Sequence, residues 1–309
     1  MIPSSFTKLI AFSACMVIST ISGLPVSGQD MPLSGLLVEG AGWELVAEGY
    51  GFTDGAATDA QGNFYFADVT KGDKILRVDL NGQISTFADN ATRISGLQFG
   101  PDGRLYACQA SNPGKILAFD TNGKSQVVAE EVQPNDLVVT ANGTIYFTET
   151  AKAQVTRIRP GQKPEKAGTG PAKPNGITLS VDQESLAVSD YGGENVWVWR
   201  IHPENGLQFP APYMSLRLPS PVQPSKGDGM ATDAQGRYYV TSAVGLQVFD
   251  PTGRLCGVLP PPQAKPMVSV ELSGPGLSYL FVCCGDKIYR RKTQAKAILF
   301  ANQPTGPKS

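Results

Sequence analysis

Apolar residues along this chain fall in short runs. Examples are "NFYFAD" (63–68), "RLYACQ" (104–109) and "TIYFTE" (144–149). Each follows a turn-forming cluster, "DAQG", "GPDG" or "TANG", in which Gly or Asn supplies the positive φ of a hairpin. A short apolar strand precedes each turn, and a third run comes after ("KILRVD", "KILAFD", "QVTRIR", "VWVWRI", "LQVFD", "KIYRRK"). Then "LNG", "TNG" or "PTG" leads to a fourth, such as "QISTFA" or "KSQVVA". Strands bounded this way, often alternating in polarity, predict four-stranded antiparallel units.

The unit repeats. "DGAATDAQGNFYF" from Asp54 returns almost unchanged as "DGMATDAQGRYYV" from Asp228, and looser copies open at Ser95, Asn135, Asn175 and Ser269. Successive starts are 41, 40, 40, 53 and 41 residues apart. A period near 40 built of short strands predicts an all-β, six-bladed β-propeller with one four-stranded blade per repeat. "WELVAEGY" (43–50) reads as one more outer strand, available to pair with the last blade and close the ring. The 53-residue interval contains a Pro-rich segment, 202–227, expected to be either a decorated surface loop or a flap leading into Asp228.

Composition sharpens this picture. Among 309 residues there are 34 Gly and 24 Pro but only 17% charged residues, which suits turns and short strands. The net charge of −1 provides no field for nucleic acid. The single histidine, His202, argues against a His-rich zinc site or a Ser-His-Asp triad. Residues 1–28, with Lys8 ahead of the apolar stretch 9–21, read as a signal peptide, leaving 29–309 as one exported propeller domain in the periplasm or outside the cell. No segment is expected to insert in a membrane. Cys108, Cys256, Cys283 and Cys284 lack the spacing of paired metal knuckles and read as small apolar residues in strands.

In a propeller the first strand of each blade lines a central channel. The motif-opening residues Asp54, Ser95, Asn135, Asn175, Asp228 and Ser269 are therefore expected at one channel mouth. Turns between second and third strands would bring Asp68, Glu149, Asp190 and Tyr191 to the same rim. Two carboxylates at close range repel, and no Lys or Arg opens any motif to offset them. An all-oxygen donor set points to a hard divalent cation, Ca²⁺ above all, with Mg²⁺ or Mn²⁺ as alternatives. The competing reading is that these Asx side chains only cap turns.

These motifs resemble the gluconolactonase and senescence-marker-protein (regucalcin) lactonase family of six-bladed propellers. The resemblance rests on "FTDGAATDAQGNFYFAD", "PNDLVVTANGTIYFTE", "KPNGITLS" and "GDGMATDAQGRYYV" followed by "GLQVFDPTGRLCGVL", and runs from about Gly51 to Lys292. It implies that Asp54, Asn175 and Asp228 bind one divalent cation, Zn²⁺ being a further candidate, and that Asn135 completes the shell or holds substrate. It further implies a small-molecule substrate, a lactone of a sugar acid such as gluconolactone, with Asp228 as the catalytic base and Gln133 and Glu149 contacting substrate. Asp54 stands where the family usually has Glu, and Gln133 where sugar-lactonase relatives often carry Arg. A propeller that binds a ligand or protein at its mouth without catalysis, or one whose cation is purely structural, is the alternative.

Overall fold

The computed structural model describes residues 32–302 except Asn205. The expected signal peptide, 1–28, lies outside the described residues. Among the described residues twenty-four strands form six four-stranded antiparallel sheets, the blades, five of them running in chain order from an inner to an outer strand. The inner strands are Thr53–Thr58, Ile94–Phe99, Leu137–Val139, Pro174–Leu179, Met230–Thr232 and Met267–Ser273. The sixth blade takes its outer strand from the start of the chain. Glu44–Glu48 pairs antiparallel with Lys287–Lys292, Glu44 opposite Arg290 and Glu48 opposite Lys287. Both pairs also meet as ion pairs, at 2.9 and 2.7 Å. This is the closure anticipated from "WELVAEGY". It leaves no gap between first and last blades.

Each turn between inner and second strands in the first and fifth blades is held by one acidic side chain. In the first blade Asp59 accepts from the Gln61 and Asn63 N–H groups at 3.0 and 2.8 Å, from Asn63 Nδ2 at 2.7 Å and from the Tyr65 hydroxyl at 3.0 Å. Asp233 in the fifth blade does the same with Gln235, Arg237 and Tyr239, now with Arg237 Nε at 2.6 Å. The near-identical stretches at 54 and 228 thus encode one device, an Asp that ties positions +2, +4 and +6 to itself. Gly236, at φ 81°, lets the chain reverse between them. Asp79, Asp120 and Asp250 close the turns before outer strands in the same +2 and +4 pattern.

The core is divided among the blade junctions. Six apolar clusters each draw side chains from two adjacent blades. At the closure, Phe64 and Phe66 pack on Phe281 and Cys283, with the Phe64 and Phe281 rings stacked at 4.5 Å. Cys108, Cys283 and Cys284 are buried in strands, as expected of small apolar residues.

Two features depart from the sequence expectation. The Pro-rich segment is half strand: Gly206–Ser215 is the outer strand of the fourth blade, where Pro210 and Pro212 are tolerated because an outer edge needs few ladder donors. Only the stretch 216–227 is a loop, pinned by Gln247 to Arg217 (2.8 and 3.0 Å) and by the Ser225 N–H to Gly193. Beyond the last strand the chain crosses the end of the channel away from the motif residues. It bonds Asp233 to Ala297 and the Gln183 amide to the Phe300 carbonyl at 3.0 Å, and buries Ile298 and Phe300.

Asp233 and Arg237 are 0% and 3% exposed, so removing the acid leaves a buried guanidinium unpaired. Asp233→Ala is expected to cost about 3–5 kcal/mol in chemical denaturation. The same substitution at the exposed turn acid Asp79 should cost about 1 kcal/mol or less. Equal losses would show that the buried pair is not what holds the turn.

Candidate active site

The motif-opening residues sit at or near the start of each inner strand, and hydrogen bonds link five of the six blade junctions around the channel. Ser95 Oγ donates to the Asn135 carbonyl at 2.7 Å, and Thr148 Oγ1 to the Asn175 carbonyl at 2.6 Å. Ser189 Oγ donates to the Asp228 carbonyl at 2.8 Å, and Thr241 Oγ1 to Val268 at 3.1 Å. Ser269 Oγ donates to Asp54 Oδ1, joining the last blade to the first. Backbones nearly touch at these junctions: a Cβ on Gly176 would lie 2.1 Å from the Asp228 carbonyl oxygen. That is the reason for the polar-Gly form of most motifs. The polar residue faces the mouth, and the next must leave room for the neighbouring blade.

Asp54 and Asp228 therefore lie close enough to feel each other's charge, and Asn135 and Asn175 stand at the corresponding strand starts of the third and fourth blades. Burial pushes Asp54 up to about 6 despite hydrogen bonds from Ser269 and the Gly55 N–H. Burial, then the charges of Asp54 and Asp136, raise Asp228 well above the ordinary carboxylate range. Tyr191 stands close enough to feel Asp228, its phenol raised by burial and by that charge. The Asn135 and Asn175 carboxamides make no hydrogen bond to other described residues, and the Gly229 N–H beside Asp228 donates to the Val268 carbonyl at 2.7 Å. The two carboxamides and the Asp228 carboxylate thus keep lone pairs open, while Asp54 is held at Oδ1 by Ser269 and the Gly55 N–H. Among the described residues no three His, Cys, Asp or Glu side chains cluster tightly enough to hold a metal, so a cation here would need the carboxamides as well as Asp54 and Asp228. Oxygen-only donors of this kind fit a hard divalent ion.

The rim acids behave differently. Asp68 accepts from the N–H groups of Gly51, Phe52, Thr70 and Lys71, and Asp190 from Ala172, Lys173 and Gly192. Glu149, 1% exposed, takes the Gln133 N–H at 2.9 Å, Lys152 Nζ at 2.7 Å, Gln154 Nε2 at 2.7 Å and Thr156 Oγ1 at 2.6 Å. Burial alone would raise Glu149, but these four donors outweigh it and hold it below the usual range. Each of these acids ties the loop entering its blade to the end of the second strand. Glu149 is thereby saturated, while the Gln133 side chain, on the loop it anchors, is partly exposed near Asn135.

Two acids escaped the sequence reading. Asp136 follows Asn135 where four other motifs have Gly. Its carboxylate takes the Leu137 N–H at 2.8 Å and the Ile177 N–H of the next blade at 3.3 Å. Glu271 lies two residues after Ser269, and the equivalent positions are Ala56, Leu97, Leu137, Ile177 and Met230, all lining a narrow space of about 40 Å³ below the mouth. One acid in an otherwise apolar layer was the available signal. Burial raises both to about 8, Asp136 further by Asp54 and Glu271 further by Asp136.

Residues 52–285 match the model of the SMP-30/gluconolactonase/LRE-like region. A gluconolactonase of Zymomonas mobilis is 25% identical over 228 residues, 65% of this chain and 63% of that relative's length. A solved gluconolactonase from Xanthomonas campestris superposes with a TM-score of 0.74 at 21% identity, covering 84% of this chain and 92% of the other. The calcium-binding protein regucalcin from Agrobacterium tumefaciens does so at 0.70 and 15% identity, covering 86% and 97%. At such identities the superpositions establish the shared fold. The family model spans most of the chain and includes all four mouth residues, so this chain belongs to the SMP-30/gluconolactonase/LRE-like family.

Proposed function

We propose that this protein is a divalent-cation-dependent hydrolase, acting outside the cytoplasm, that opens a lactone of a sugar acid such as gluconolactone. The observation that carries the reading is that Asp54 and Asp228 feel each other's charge at one end of the channel, while Asn135 and Asn175 occupy the same register in the blades between and make no side-chain hydrogen bond to described residues. Without a counter-charge these acids repel and hold protons. Asp54, Asn175 and Asp228 would hold the ion, with Ca²⁺ favoured, and Asn135 would complete its shell or contact substrate. The Zymomonas mobilis relative is a gluconolactonase and the Agrobacterium tumefaciens neighbour a calcium-binding protein; both support the reading.

When bound, the cation supplies polarisation of the lactone carbonyl and positive charge for the developing oxyanion. Asp228 takes the proton of the attacking water as its oxygen bonds to the carbonyl carbon. The ring C–O bond then breaks, the leaving alkoxide receives the proton, and a hydroxy acid is released. The Asn135 amide orients the lactone, and Gln133 offers a neutral amide to its hydroxyls. Glu149 acts at one remove, fixing the loop that carries both.

Opening of gluconolactone and a lactone panel, followed by base uptake at constant pH, tests this. Asp228→Ala should lower kcat/KM by about 10²–10⁴-fold. Chelation should abolish the enzymatic rate and added Ca²⁺ restore it. If wild type opens no lactone faster than Asp228→Ala does, the proposal fails.

A second expectation concerns pH. In chelator, folded Asp54 holds its proton up to about 6, and Asp136 and Glu271 to about 8, while unfolded carboxyls release theirs near 4. The stabilisation is complete below about pH 4 and is lost as pH rises through those values. Relative to the protein in saturating Ca²⁺, the chelated protein should therefore lose Tm between pH 5 and pH 8. A gap that narrows as pH rises would contradict this.

A further inference from the structure

The channel also opens on the face away from Asp54 and Asp228. There the turns following the inner strands of the first two blades, together with residues 298–302, enclose a cavity of about 310 Å³. At roughly 30 Å³ per water-sized group that is room for about ten heavy atoms. Among the described residues three acids line it, Asp59, Asp120 and Glu271, and no Lys, Arg or His does.

The three are not equivalent. Asp59 is saturated by its own turn and lends only charge. Asp120 engages one oxygen, Oδ1, with the Asn122 and Lys124 N–H groups. Glu271 engages one, Oε1, with the Leu272 N–H at 2.7 Å. The second oxygen of each has no hydrogen-bond partner among the described residues. Glu271, partly buried, lines both this cavity and the narrow channel space next to it, and no Lys, Arg or His among the described residues lines either. Burying such a group is costly unless a partner is supplied. The wall beside these acids is aromatic: Tyr65 meets Phe87 and Phe99 edge-on, at 5.1 and 5.0 Å between centroids.

We propose that this cavity is a second ligand site, separate from the lactone mouth, that takes a small aliphatic ammonium ion. A nitrogen bonds the open oxygen of Glu271 or of Asp120, and the alkyl chain runs along Tyr65, Phe87 and Phe99. Charge-assisted hydrogen bonds and ring faces both favour a cation here. An anion, including the hydroxy acid released at the mouth, is repelled.

Calorimetric titration of the full chain in saturating Ca²⁺ decides the matter, with 1,4-diaminobutane, neutral 1,4-butanediol and anionic succinate as probes of similar length. The diamine should bind at least about tenfold tighter than the diol, and succinate not at all. Glu271→Gln and Asp120→Asn should each weaken the diamine by about tenfold, one charge-assisted bond. Asp228→Asn at the mouth should leave it unchanged. If Glu271→Gln folds poorly, Asp120→Asn carries the same comparison from a surface turn. No diamine binding, equal affinity for the diol, or loss on Asp228→Asn alone overturns the proposal.

Discussion

Adjacent inner strands approach so closely that a side chain has almost no room between one motif and the next. A Cβ on Gly176 would meet the Asp228 carbonyl at 2.1 Å, and one on Gly96 would meet Asp136 Oδ1 at 2.6 Å. Hydroxyls of Ser95, Thr148, Ser189 and Thr241 fasten backbone to backbone across four junctions, and Ser269 fastens to Asp54 at the closure. The polar side chains at the strand starts have nowhere to go but the mouth. Their convergence is thus a steric result before it is a chemical one.

Convergence creates the electrostatic problem that the site exploits. Asp54 and Asp228 cannot both be charged and desolvated at low cost, so both are drawn toward protonation. Asp68 and Glu149, only a loop away, are surrounded by N–H and hydroxyl donors and stay low. Carboxylates at one end of the molecule thus divide by environment: Asp68 and Glu149, with four donors each, hold loops, while Asp54 and Asp228 have too few to offset their burial. Set against the motifs this chain resembles, Asp54 is one methylene shorter than Glu, and Gln133 offers a neutral amide where Arg would offer a charged fork.

Between the two faces the channel is nearly closed by an apolar layer. Ala56, Leu97, Leu137, Ile177 and Met230 fill it, interrupted by Glu271, and Ile298 and Phe300 stop it from beyond. This layer separates the mouth from the far-face cavity, and Glu271 lines both that cavity and the narrow space within the layer. A propeller so arranged offers two chemically different recesses on one axis.

Much of this could be read along the chain because it is local or periodic. The blade count follows from the spacing of six motifs, and the turns from Asp residues reaching only two to six positions ahead, as at Asp59 and Asp233. That Asp54, Asn135, Asn175 and Asp228 stand at or near inner-strand starts was legible because those starts share a register. What stayed hidden depends on partners far apart in sequence. Nothing within the stretch around Glu149 announces that its carboxylate is claimed by the Gln133 N–H. Nor does anything near Asp136 announce the Ile177 N–H, 41 residues on. Whether a carboxylate is satisfied or exposed to its neighbours' charge is settled only when the ring closes and brings those groups within a few ångströms.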